Sequence, residues 1–143
     1  MPQQIEKLML KEHKNLNKLL DVLEKDLEDY EKTKTNFNCF KWNLEKHFFV
    51  EEKVIFDMFV DISGQETNDI FHLLQDHVKI MGMLKILEQR LKRKIKPFLH
   101  ELKQILINHR KFEDEDFYPN LDERLTPNQK KVVCERIIEV IPC

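Results

Sequence analysis

An all-α fold, an up-down-up-down four-helix bundle with a short fifth C-terminal helix, is predicted by three observations. The chain of 143 residues holds only 2 Gly and 5 Pro, while Lys, Glu and Leu abound, a composition that favours helix. Apolar residues recur at alternating steps of three and four along four long stretches. Short links join these stretches, so sequential helices should pack antiparallel. With 41% apolar and 35% charged residues, the chain is expected to form a single domain, residues 1–143, around one core. The bundle is predicted over about 2–118 and the last helix over about 127–141.

The first helix is predicted to start at Pro2, a good first-turn residue, and to run to about Tyr30. Its seam is Met9, His13, Leu16, Leu20, Leu23 and Leu27. The second follows a turn at Thr33–Thr35 and carries Phe37, Phe40, Leu44, His47, Glu51, Ile55 and Met58. Its end is expected near Asp61–Gly64, where Ser and Gly break the pattern. The third begins around Thr67 with Ile70, Leu74, His77, Met81, Leu84 and Leu91 facing inward. Pro97 marks the turn into the fourth, whose seam is Phe98, Leu102, Ile105, His109, Glu113 and Asp116, closed by Phe117-Tyr118-Pro119. Thr126-Pro127 reads as a cap plus first-turn proline opening the fifth, with Val133, Ile137, Ile138 and Ile141 on its apolar side.

Charge excludes some partners. The formal net charge of −2 offers no electrostatic case for nucleic acid. The cluster Arg90, Lys92, Arg93, Lys94 and Lys96 reads as a solvated helix end placed well against the helix dipole. No apolar run approaches the roughly 20 residues of a membrane span, and MPQQIEKLML is too short and charged for a secretory signal. Three cysteines without a C-x-x-C predict no disulfide framework and a reduced, cytoplasmic setting. Cys143, as the last residue, is no prenylation box.

The strongest signal is a ligand pattern present twice: His13, then His47-x-x-x-Glu51; His77, then His109-x-x-x-Glu113. Each residue turns a helix by about 100°, so His47 and Glu51 differ by only about 40° and share a face, as do His109 and Glu113. All six lie in apolar seams. An ionised carboxylate buried without a partner costs several kcal/mol, and a multivalent cation would compensate it directly. A lone seam histidine is commonly a hydrogen-bonded core residue, and a lone i, i+4 pair a surface ion pair. Four inward histidines, one per helix, with two inward carboxylates point instead to a pair of metal ions. His72 and His100 point to other faces and stay outside the set.

These segments, LKEHKNLNKLL, HFFVEEKVIF, LLQDHVKIMG and HRKFEDEDFYP, resemble the hemerythrin-like family, the HHE cation-binding domain, over roughly residues 5–120. The echo includes Glu51-Glu52 with Ile55-Phe56 against Glu113-Asp114 with Phe117-Tyr118-Pro119. The resemblance implies a bundle holding two non-haem Fe ions, oxo- or hydroxo-bridged, with His13, His47, Glu51, His77, His109 and Glu113 as ligands. Imidazole and carboxylate donors suit iron, zinc or manganese, and the absence of thiolates argues against a structural zinc site. The chain departs from the oxygen-carrying hemerythrins at Leu73, where they have a fifth histidine. It departs again in the helix-four carboxylate, which in them is an Asp five residues after its His. Asp114 stands at that spacing here, but Glu113 should reach the face without distorting the helix.

These departures imply a site closer to relatives involved in iron–sulfur repair, nitric-oxide or peroxide handling, and iron or oxygen sensing. The function expected is a di-iron protein binding a small diatomic ligand, dioxygen or nitric oxide, or peroxide, for oxygen binding, storage or sensing. The alternative is a di-iron enzyme handling peroxide or nitric oxide, or acting in iron–sulfur repair or iron homeostasis. Sensing would pass through a protein partner, and the oligomeric state is not legible. Leu44, Phe48, Met81, Leu84, Leu106 and Phe112 are candidates for an apolar pocket. Tyr30, Glu52, Asp116 and Tyr118 are the proton donors available, with Asp116 the best placed, nearly in line with His109.

Overall fold

The computed structural model describes residues 4–59 and 65–141, and in them the chain forms a helical bundle without a strand. The helices are α1 (Ile5–Lys25), α2 (Tyr30–Val50), α3 (Gln65–Lys92), α4 (His100–Phe112), α5 (Tyr118–Arg124) and α6 (Pro127–Val140). A π-helical turn at Glu51–Ile55 and a 3-10 turn at Phe56–Phe59 extend α2. A second π turn at Glu113–Phe117 joins α4 to α5, so these three pieces form one continuous rod. The start expected at Pro2, the break at Asp61–Gly64 and the terminal Cys143 lie outside the described residues. No helix of the described residues is long and apolar enough to cross a membrane.

The first turn falls earlier than the sequence suggests. It spans Asp26–Asp29, and Thr33–Thr35 lie inside α2. Asp29 is the cap, its Oδ1 accepting from Lys32 N–H at 3.1 Å, while Thr33 Oγ1 donates to the Asp26 carbonyl at 2.7 Å. The hydroxyl of Thr33, 1% exposed, satisfies the preceding turn and does not break the helix. At α6 the expected signal holds in full: Thr126 and Gln129 form a reciprocal capping box with Pro127 in the first turn. The α1 start has no cap of its own. Asp122 of α5 supplies it, accepting the backbone N–H of Ile5 and of Glu6 at 3.0 Å each.

The basic cluster does sit at a helix end. Ile95 N–H bonds the Arg90 carbonyl at 2.9 Å and Lys94 N–H that of Leu91 at 2.9 Å, which closes α3 in a Schellman turn. Lys94 occupies the left-handed position of that turn, φ 59°, where an L side chain is strained. Its ammonium lies 5.5 Å from the centroid of the Tyr30 ring, a contact that offsets part of the strain. Lys94→Gly is expected to stabilise the protein by about 0.5 kcal/mol, read as a higher urea midpoint at unchanged slope. A lower midpoint would mean that the Tyr30 contact outweighs the strain.

The core divides into two apolar clusters. One contains Ile5, Met9, Val50, Ile55, Leu73, Phe117 and Leu121, with Val133 and Ile137 of α6. The other contains Leu16, Leu20, Phe37, Phe40, Leu44, Ile80, Leu84 and Leu102. Two expected seam positions are exposed. Phe98 is 65% exposed because α4 starts after it, with Leu99 buried in its place. Asp116 is also exposed, for a reason that lies in the second π turn.

Candidate metal centre

Each long helix contributes one histidine at the level where the two apolar clusters separate. His13 follows Met9 and precedes Leu16; His77 follows Leu73 and precedes Ile80. His47, Glu51, His109 and Glu113 complete the layer, and none of the six exceeds 3% exposure. The structure thus brings together every residue of the expected set. Two groups of donors could each hold a cation: Glu51, His77, His109 and Glu113, and His13, His47 and Glu113, with ligand atoms within 4.8 Å of one another in each.

The helices follow α geometry up to each carboxylate and leave it immediately after. From His109 to Glu113 the rod is α, as expected, but Tyr118 N–H then bonds back to the Glu113 carbonyl, five residues away. Phe56 N–H bonds the Glu51 carbonyl in the same way. Each π turn accommodates one residue more than an α turn, so side chains beyond it rotate relative to those before it. Asp116 is thereby carried to the surface, while Phe117 and Tyr118 turn inward, 1% and 0% exposed. Asp116 is not the proton donor beside the centre; Tyr118 occupies that place.

Tyr118 O–H donates to Glu51 Oε2 and also lies 3.1 Å from Glu113 Oε2. The other oxygens face imidazoles. Glu51 Oε1 lies 3.1 Å from His77 Nε2 and 3.3 Å from His47 Nε2; Glu113 Oε1 lies 3.2 Å from His13 Nε2 and 3.4 Å from His109 Nε2. Burial opposes ionisation of Glu51, but the charge of His47 and hydrogen bonds from the surrounding imidazoles hold its carboxyl well below the usual range. Burial, with the charge of Glu51 next, pushes the Tyr118 phenol well above its usual value, so it stays a donor. His47 is lowered by burial, against the pull of Glu51. His77 opposes the same burial with hydrogen bonds and charge from Glu51 and Glu52, and is raised.

Three outer carboxylates hold the rings from behind. Asp114 Oδ1 lies 2.9 Å from His13 Nδ1, Glu52 Oε2 lies 2.8 Å from His77 Nδ1, and Asp76 Oδ2 lies 3.0 Å from His109 Nδ1. A carboxylate accepts only, so each of these Nδ1 atoms carries a proton, and the Nε2 turned toward Glu51 or Glu113 is a lone pair when the ring is neutral. A neutral ring then sets a lone pair against a carboxylate, and a cation between them would satisfy both. His109 Nε2 and Glu113 Oε1 are buried without a hydrogen-bond partner although 3.4 Å apart, as two acceptors would be. The donor set fits a metal ion on this ground. Asp114, 26% exposed, serves His13 and not the inner position that Glu113 occupies. Asp76 was not foreseen; its only sequence signal is its place immediately before His77.

A cavity of about 20 Å3 adjoins His13, His47 and His109, with Leu16, Leu20, Phe40, Leu44, Phe48 and Leu106 as its apolar wall. It has room for one water-sized molecule. Leu44, Phe48 and Leu106 were expected in such a pocket; Met81, Leu84 and Phe112 do not line it.

Fold and site together define a helical-bundle protein with a buried histidine–carboxylate cluster able to hold cations. A family model, the hemerythrin HHE cation binding domain, matches residues 4–121, most of the chain, and the chain belongs to that family. Comparison with curated proteins and with solved structures found no match.

Proposed function

We propose that the protein is a non-haem di-iron protein that binds a small diatomic ligand, dioxygen or nitric oxide, or peroxide, for oxygen binding, storage or sensing. The carrying observation is that Glu113 belongs to both donor groups while Glu51 Oε1 reaches a histidine of each, so both carboxylates can serve two ions. His13, His47, Glu51, His77, His109 and Glu113 are the proposed ligands, offering six nitrogen and oxygen donors and no thiolate, a set suited to iron. When bound, the irons would supply open coordination positions and one-electron chemistry.

The chain's own residues do the rest. Asp114, Glu52 and Asp76 fix the ring tautomers, so that the Nε2 atoms are ready as ligands. Tyr118 holds the far oxygens of both carboxylates and keeps a proton beside them. The wall of Leu and Phe side chains around the cavity admits a small molecule and disfavours bulk water. A reducing, cytoplasmic setting is part of this reading, expected from three cysteines without a C-x-x-C.

Anaerobic titration with ferrous iron, followed by optical spectra under air, nitric oxide and peroxide and again after argon sparging, tests the reading. Two equivalents per chain and a ligand-dependent absorption band are expected. Binding of far less than two equivalents would sink the paired centre, and loading without any response to the three ligands would sink the assigned role. A band that argon removes would mark reversible binding, whereas rapid irreversible conversion would favour a sensor or an enzyme.

A further inference from the structure

The two halves of the centre repeat their outer carboxylates as well as their inner ligands, with one exception. The residue after each inner carboxylate, Glu52 or Asp114, grips the lone histidine of the opposite half, His77 or His13. In the second half, Asp76, which precedes the lone His77, grips His109 of the H-x-x-x-E pair. The matching position in the first half is Glu12, which precedes the lone His13, and its counterpart target is His47.

Glu12 is 5% exposed, as buried as the proposed ligands nearly are. Its Oε1 is buried with no hydrogen-bond partner, and so is Nδ1 of His47. A buried unpartnered carboxylate oxygen costs free energy, as does a buried unpartnered ring nitrogen, and pairing them removes both costs. Glu12 also borders a groove with Lys46, the residue before His47, and its charge is felt at the His47 ring.

We propose that Glu12 is the fourth positioning carboxylate of the centre: it receives the Nδ1–H of His47 and turns Nε2 of that ring to the metal. The inference rests on the paired-metal reading above. In the loaded protein every proposed histidine ligand then carries its own carboxylate: Asp114 for His13, Glu12 for His47, Glu52 for His77 and Asp76 for His109.

The test uses zinc alone as the probe, titrated against a competing chelator into the full metal-free chain, for the wild type, Glu12→Gln and Glu52→Gln. Wild type should take two equivalents. Glu12→Gln should weaken one of them about 10- to 100-fold, as Glu52→Gln does for its own ring. The metal-free Glu12→Gln protein should melt no lower than wild type, because the substitution removes an unpaired buried charge. A merely structural role would lower melting temperature and affinity together. Long-range 1H–15N correlation on the zinc-loaded wild type gives a reading that needs no variant: His47 should carry its proton on Nδ1. Wild-type affinity in Glu12→Gln beside a weakened Glu52→Gln overturns the role of Glu12 and leaves the metal reading standing; so does zinc on His47 Nδ1. A wild type that takes less than two equivalents overturns the metal reading and the inference with it.

Discussion

Glu51→Gln is expected to abolish paired metal loading and to cost the metal-free protein about 3 kcal/mol at neutral pH, the usual penalty for removing one partner of a buried charge cluster. Glu51 faces His47, His77 and Tyr118 at once, and the neutral amide can replace neither its charge nor both of its acceptor oxygens. The cost should depend on pH with a definite sign. The folded-state pKa of Glu51 is depressed, so its contribution is fully present above the ordinary carboxylate value of 4.5 and is lost as the pH falls through the lower folded value. Urea denaturation in the presence of a chelator, at pH 7 and in the acid limb, should show the two proteins converging as the pH drops. A constant gap across that range would show that Glu51 contributes shape and not charge.

Tyr118→Phe should separate the two states of the centre. Without metal, the phenol is the donor that Glu51 and Glu113 share deep in the bundle, and its loss is expected to cost about 2 kcal/mol. With metal, the carboxylates already have a cation, and the loss should be much smaller. Linkage then requires the variant to bind metal more tightly, by about tenfold for a difference near 1.4 kcal/mol. Chemical denaturation with chelator and with saturating zinc, beside a direct zinc titration, measures all three quantities. Weaker binding by the variant would mean that the hydroxyl supports the ions and does not compete with them.

Much of this centre could be read from the chain, because periodicity is a property of sequence. His13, His47, His77 and His109 sit at the steps of three and four that also place Leu16, Leu44, Leu73 and Leu106 inside. The Thr126-Pro127 start of α6 followed from local chemistry in the same way. What escaped depends on backbone register or on a neighbouring helix. Nothing in EEKVI or EDEDF announces a π turn, so a uniform 100° step put Asp116 nearly in line with His109 and ranked it above Tyr118 as a proton donor. Asp76 looks like any solvated acid, and Asp114 stands out only as an alternative to Glu113, until α4 and α1 place a ring nitrogen within 3.0 Å of each. The early turn at Asp29 was legible as a cap, but the polar run around Thr33 looked more like a break.

The π turn at Glu113–Phe117 also makes the centre sensitive to the number of residues and not only to their kind. Were the same residues to close as plain α-helix, no side chain would be lost from the site. Every residue beyond would, however, swing by about 100°. Tyr118 would leave the two carboxylates, Leu121 would leave the core, and Asp122 would let go of the first turn of α1. Along this stretch the chain keeps count: the one extra residue that the wide turn takes up at the surface holds the middle of the bundle and its far end in register.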